Sequence, residues 1–287
     1  LILRAQGQKV PYWHLFSYRM IGYSVSYLTP TMHVGGEPVR AYLLSRENVS
    51  MTTAFSTVII DKSLELMANS LFFFLGVLLI INSVAVDGRM KLFLLAASLF
   101  LILIVGMFIG GVLGKRSMFV AVFRFFRLQK ISKLKNIERN LAQVEREVEL
   151  FYRTKKMYFL LLIGMMILLW ALMLLEYRFA LLIFHHYATP LQIFLILTGV
   201  GLAYSIPIPA AMGILELGQL SAAKVLDLSS VTGVALAFLV RARDLAWTIL
   251  GLALLFIYEF SFAKLQRQTE EIDESFEHGD LFKGRDR

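Results

Sequence analysis

Residues 92–114 read LFLLAASLFLILIVGMFIGGVLG, twenty-three consecutive positions without a charge. At about 1.5 Å per residue, a helix of that length crosses a hydrocarbon core of about 30 Å. Peptide groups in hydrocarbon have no water to bond, so an isolated run of this kind spans as a helix, which satisfies its backbone internally. The composition of the whole chain agrees. Of 287 residues, 57% are hydrophobic and 17% charged, and the mean hydropathy is +0.66. A soluble domain carries roughly 45–50% apolar and 25% charged residues. The expected class is therefore an all-α polytopic protein integral to the cell membrane.

Three further spans read outward from this one. Met157 to Ile183 is apolar except for Glu176 and Arg178. Residues 64–86 form another, and the more polar run from Ser50 can belong to the same helix. Residues 231–260 form the fourth, despite Arg241, Arg243 and Asp244 near the middle. Residues 11–29 and 191–217 are apolar but interrupted by proline, glycine and polar residues, so they read as broken or re-entrant helices. No signal-peptide pattern opens the chain. It starts at Leu1 rather than methionine, so one or more upstream spans are expected to be missing.

Orientation follows from lysine and arginine in the connections. From Lys115 to Lys156 there are twelve Lys or Arg against four Glu, whereas 185–190 has no formal charge. The first connection is expected in the cytoplasm and the second outside. This alternation has 157–183 running outward, 92–114 inward and the helix from Ser50 outward. A re-entrant 191–229 then leaves the C-terminus in the cytoplasm. The flippase-like domain is expected over 1–264, with a basic cytoplasmic insert at 115–156 and a disordered acidic tail at 265–287.

Within the insert, Ile131, Leu134, Ile137, Leu141, Val144, Val148 and Phe151 step by three or four, the mark of an amphipathic helix. Two readings fit it: adhesion to an anionic membrane surface, or packing on the protein's own cytoplasmic side. The positive-inside pattern accounts for the net charge of +8, so nucleic acid is not expected as a partner. There is no cysteine, which excludes disulfides and thiolate sites. His185 and His186 read as solvated loop residues. No metal, cofactor, catalytic residue or nucleotide-binding motif is expected.

Ionisable residues at membrane depth cost roughly 2.5–3.5 kcal/mol each on insertion scales and need partners. Arg241 and Asp244 lie three apart and can pair on one helix face, while Arg243, about 200° around the axis, needs a partner elsewhere. On the helix from Ser50, Thr53, Thr57, Asp61, Glu65 and Asn69 form a slowly turning polar stripe. Lys62 can pair with Glu65, which leaves Asp61 to meet a cation from another helix. Glu176 and Arg178 read as interfacial. Taken together, these acids and bases point to a hydrated polar cavity.

The two broken segments share a pattern. Pro30, Gly35, Gly36, Glu37, Pro38 and Arg40 occupy the first; Pro207, Pro209, Gly213 and Glu216 occupy the second. In each, proline stops a helix, glycine permits close backbone approach, and a glutamate opens the next helical stretch. The expected topology enters the first from the cytoplasm and the second from outside, as in an inverted repeat whose site lies near the midplane.

At these residues the chain resembles the lysylphosphatidylglycerol synthase transmembrane-region family of flippase-like proteins. The same module forms the membrane part of the multiple peptide resistance factor. The resemblance rests on PTMHVGGEPVRAYLL, on IIDK about twenty residues later, and on PIPAAMGILE. It implies an eight-span type of architecture with re-entrant elements. The family pattern transfers to Pro30, Gly35, Gly36, Glu37, Arg40, Asp61, Pro207, Pro209, Gly213 and Glu216. Lys62 stands where the family more often has arginine, and Ala210 and Ala211 where it usually has glycine. The aminoacyl-transferase domain of the fused members is not expected in the 27 residues after Phe260, so lysyl transfer is not expected either.

The expected function is therefore translocation of a phospholipid or lipid-linked headgroup between leaflets. Arg40, Lys62, Arg241 and Arg243 would meet phosphate. Glu37, Asp61, Glu65, Glu216 and Asp244 would hold those cations or bind an amine. Two alternatives stay open: a lipid or polyprenyl-phosphate transferase, and an accessory subunit docked to a separate synthase. A homo-oligomer is open as well.

Overall fold

A computed structural model describes residues 1–30, 34–83, 87–114, 135–204, 208–225 and 228–277, and among these every regular element is helical. In chain order they are α1 (Ile2–Ala5), α2 (Tyr12–Leu28), α3 (Glu37–Ser45), α4 (Met51–Ser83), α5 (Gly88–Leu113), α6 (Lys135–Thr154), α7 (Lys156–Ile183), α8 (Pro190–Tyr204), a 3₁₀ turn (Pro209–Ala211), α9 (Ile214–Val225) and α10 (Ser230–Glu277).

Local chemistry sets several helix starts. Ser50 accepts the Thr53 amide at 3.1 Å and Ser229 that of Thr232 at 3.0 Å, each satisfying a donor the helix leaves open. Before α8, Thr189 Oγ1 accepts the Gln192 amide at 3.3 Å while Gln192 Oε1 accepts that of Thr189 at 2.9 Å, a reciprocal box around Pro190.

Three helices are long and apolar enough to cross a membrane: Met51–Leu79, Lys91–Gly111 and Lys156–Ile183. They differ in what surrounds them. The first is 39% buried along its most apolar window, the other two 6%, so α4 is a core helix while α5 and α7 turn most of their surface outward, as apolar helices do toward lipid. One cluster packs Tyr177, Leu181, Ile193, Leu197, Leu215 and Val240, joining α7, α8, α9 and α10. Another packs Tyr18, Ile21, Leu43, Leu44 and Val58, joining α2, α3 and α4. The seam between α2 and α10 is tight. A Cβ at Gly251 would lie 2.0 Å from Ser24 Oγ and 2.3 Å from the Met20 carbonyl oxygen, and Ser24 Oγ donates to the Thr248 carbonyl at 3.0 Å.

The described part of the amphipathic segment is α6, and from Val144 onward its apolar stripe is covered by the protein itself. Val144, Val148 and Phe151 are buried with Ile60, Leu64, Leu162 and Ile2. Polar contacts reinforce the seam. Glu147 accepts from Ser56 Oγ at 2.6 Å and from Thr53 Oγ1 at 3.1 Å, and the Tyr152 hydroxyl meets Ser63 Oγ at 2.6 Å. Burial pushes the Tyr152 hydroxyl above the usual tyrosine range, which keeps it neutral. Ile131, Leu134 and the basic stretch before them lie outside the described residues.

α10 departs from expectation at its end. It has 48 residues, or about 72 Å of helix, and runs through Glu277 where the composition suggested a disordered tail. Residues 264–277 are rich in Lys, Arg, Gln and Glu; these are strong helix formers and here extend a helix already nucleated.

Candidate functional site

Both breaks close on the C-terminal end of α2. At the first, the Gly36 amide donates to Ser26 Oγ at 2.8 Å. The backbones touch there: a Cβ at Gly36 would fall 1.8 Å from the Gly22 carbonyl oxygen, and one at Gly22 would fall 2.4 Å from Arg40 Cγ. Two glycines therefore let the break and the Arg40 stem lie flat on α2. Glu37 opens α3 with Pro38 next to it, a start where proline loses no helical hydrogen bond. Pro30 sits exposed just past the end of α2.

The second break turns through a left-handed backbone. Ala210 and Ala211 have φ of 52° and 47°, and Gly213 has 79°. The two alanines thus hold conformations that glycine adopts without a Cβ clash, and the turn keeps the shape that glycine would serve. Arg241 of α10 fastens it. Its Nη1 donates to the Ala210 carbonyl and to the Tyr27 hydroxyl, its Nη2 to the Ala211 carbonyl at 3.1 Å, and its Nε and Nη2 form a bidentate pair with Glu216 at 2.8 and 3.1 Å. Adjacent residues of α2, Ser26 and Tyr27, thus bind one break directly and the other through Arg241. Pro207 lies outside the described residues, while Pro209 begins the 3₁₀ turn.

Around the first break lies an ion-pair network drawn from α2, α3 and α4. Arg40 donates to Glu37 at 2.7 Å and to Asp61 at 2.8 Å. Arg19 reaches the same Asp61 oxygen at 2.6 Å and Glu65 at 3.2 Å. Lys62 meets Glu65 at 2.8 Å and lies 3.9 Å from Glu37. Three cations face three carboxylates, a neutral set of the kind that can sit at membrane depth. The expected pairing of Lys62 with Glu65 is present, and Asp61 meets cations from other helices.

The second network corrects one sequence reading. Arg241 pairs with Glu216 rather than with Asp244. Asp244 instead holds Arg243, through Nε at 3.0 Å and Nη2 at 2.9 Å, while Arg243 Nη1 reaches Glu176. Spacing of three on one helix permits a pair, but Glu216 offers Arg241 a planar, two-bond match across helices, and that geometry wins. Glu176, read as interfacial, is the second partner of Arg243. The Asp244 carboxylate is 3% exposed and also accepts from the Tyr204 hydroxyl.

The polar stripe on α4 divides in two. Thr53 and Thr57 bind Glu147 and Gln6 on the α6 side; Asp61 and Glu65 belong to the first network; Asn69 is exposed. Arg19, Tyr23, Tyr27 and Tyr204 were not singled out from sequence. The first three recur every fourth position along α2, a signal hidden in a segment read mainly for its interruptions. Among the described residues, no group of three or more His, Asp or Glu is placed to hold a metal ion.

Known proteins bear on this arrangement. The family described as Lysylphosphatidylglycerol synthase TM region matches residues 1–257. A stretch of 72 residues is 46% identical to a UPF0104 membrane protein of Methanothermobacter thermautotrophicus, covering 25% of this chain and 20% of that protein. A stretch of 158 residues is 24% identical to a UPF0104 membrane protein of Methanocaldococcus jannaschii, covering 55% of this chain and 46% of that one. The chain thus spans from a fifth to just under half of the length of these relatives. No solved structure matches. With 257 of its 287 residues matched and its long apolar helices in place, the chain is a membrane protein that belongs to the lysylphosphatidylglycerol synthase transmembrane-region family.

Proposed function

We propose that the protein moves a phospholipid or lipid-linked headgroup between leaflets, with the headgroup passing along the two ion-pair networks while the acyl chains stay in the bilayer. One observation carries this reading: two broken helical segments meet at one end of α2, each bordered by charges paired across helices. Charges at membrane depth that are paired yet partly accessible suit a path for a polar group. Breaks in the helical backbone suit a cavity wall, because unwound backbone at membrane depth lies within protein or along a water-filled path.

The order of elements supports an inverted repeat in this proposal. A helix, a break, a short helix and a long helix occur as α2, α3 and α4, and again as α8, α9 and α10. Lys62 and Arg241 are each twelfth in their long helix, and each approaches the glutamate in the first turn of its short helix, Glu37 or Glu216. In the proposed topology the two halves enter from opposite faces and the C-terminus is cytoplasmic. The test is reconstitution of the full chain into liposomes carrying headgroup-labelled phospholipids, followed by dithionite quenching from outside. Translocation raises the quenched fraction from about half, the outer-leaflet share, toward all. A fraction that stays at half for anionic, zwitterionic and cationic headgroups contradicts the proposal and favours a transferase or an accessory subunit.

A further inference from the structure

We infer that Arg19 and Arg243 are the residues that take a headgroup phosphate, and that the α2 face bearing Arg19 and Tyr23 is the track joining them. The inference deepens the translocation reading and rests on it for movement, but not for binding.

Five cations belong to the two networks, and they differ in what they can still offer. Arg241 is saturated: a guanidinium has five N–H donors, and five contacts take them, two to Glu216 and one each to Tyr27, Ala210 and Ala211. Its side chain is 14% exposed, so it acts as a brace for the second break. Arg40 and Lys62 are 13% and 12% exposed, and the Arg40 stem is pressed against Gly22. Arg19 is 49% exposed and Arg243 31%. Among the described residues, Arg19 donates through Nη1 and Nη2, toward Asp61 and Glu65, and Arg243 makes three contacts, toward Asp244 and Glu176. Each keeps donors and accessible surface for the paired hydrogen bonds by which arginine binds phosphate.

The path between them follows from helix geometry. Arg19 and Tyr23 lie one turn apart on one face of α2, about 6 Å along its axis, and the Tyr23 ring stacks at 6.0 Å on that of the buried Tyr27. Tyr23 interacts electrostatically with Asp244 and Arg243, so the face that bears Arg19 also carries a hydroxyl next to the Arg243 pair. The carboxylates behind each arginine weaken its hold on an anion, and a carrier needs a ligand it can release. Shared chemistry makes a lipid phosphodiester and a free phosphate monoester the two sources to separate.

The test reads binding without transport: thermal stabilisation of the detergent-solubilised full chain by dioleoylphosphatidylglycerol, by dioleoylglycerol, which lacks phosphate, and by glycerol 3-phosphate. Stabilisation by the phospholipid alone, with the half-saturating concentration raised about tenfold or more in Arg19→Gln and in Arg243→Gln, is the expected result. An equal response to glycerol 3-phosphate keeps the site and assigns it to free phosphate esters. Arg19→Lys, which keeps the charge and loses the fork, and Tyr23→Phe keep the question decidable where a Gln variant does not fold. An equal response to dioleoylglycerol, or an unchanged phospholipid response in folded Arg19 and Arg243 variants, overturns the inference. If wild-type protein binds through these arginines and yet moves no lipid, the translocation reading fails and this one stands.

Discussion

Glycines at the two breaks do different work. At Gly36 the limit is space, because a Cβ would fall 1.8 Å from the Gly22 carbonyl oxygen; Gly36→Ala is expected to separate α2 from the break and cost about 1–3 kcal/mol. At Gly213 nothing lies within 4 Å of the Cβ position and φ is +79°, so Gly213→Ala carries only the left-handed penalty, about 1–2 kcal/mol. Ala210 already bears that penalty at φ 52°, and Ala210→Gly is expected to raise stability by about 1 kcal/mol, less what glycine loses in chain entropy. Melting temperatures of the three purified variants check the set, and a lowered value for Ala210→Gly contradicts the strain argument. At this scale the sequence was partly legible. Spacing along one helix found Lys62 with Glu65, but it also suggested Arg241 with Asp244, where a bidentate partner 25 residues away prevails. Arg19 was missed because its partners lie 42 and 46 residues away, and the four-residue recurrence along α2 does not say which residues it meets.

The elements were legible where periodicity or an apolar run was long. The apolar run at 92–114 lies within α5 except for its last residue, and the turn-by-turn apolar stripe anticipated α6. What covers that stripe was not legible, since an amphipathic face reads the same whether lipid or protein lies against it. In the fold, Phe151 and Val148 are 2% and 0% exposed against α4 and its neighbours. Phe151→Ala is therefore expected to cost about 3–5 kcal/mol and to speed amide hydrogen exchange within α6 before it affects α8 or α9. Exchange in α6 unchanged from wild type contradicts the packing described here. Glu147→Gln is expected to loosen the same seam more mildly, because Ser56 and Thr53 lose a charged acceptor but keep a neutral one.

For the molecule as a whole, the absence of native cysteine makes sidedness directly readable. α7 has 28 residues, about 42 Å of helix, so Gln143 on α6 and Tyr187 beyond α7 are expected on opposite faces of the membrane. Both side chains are exposed. Gln143→Cys is expected to react with an impermeant maleimide only after cells are opened, and Tyr187→Cys in intact cells; the reverse pattern inverts the proposed orientation. The central claim is that the paired charges where the two breaks meet α2 form a headgroup path. Its most direct test is the rate of labelled phospholipid movement in liposomes holding wild type or Glu37→Gln, each shown to be folded by its melting temperature. The account predicts rapid movement in the wild type and a severalfold slower rate in a stable variant, because Glu37 holds both Arg40 and Lys62. Equal rates in two well-folded proteins contradict it.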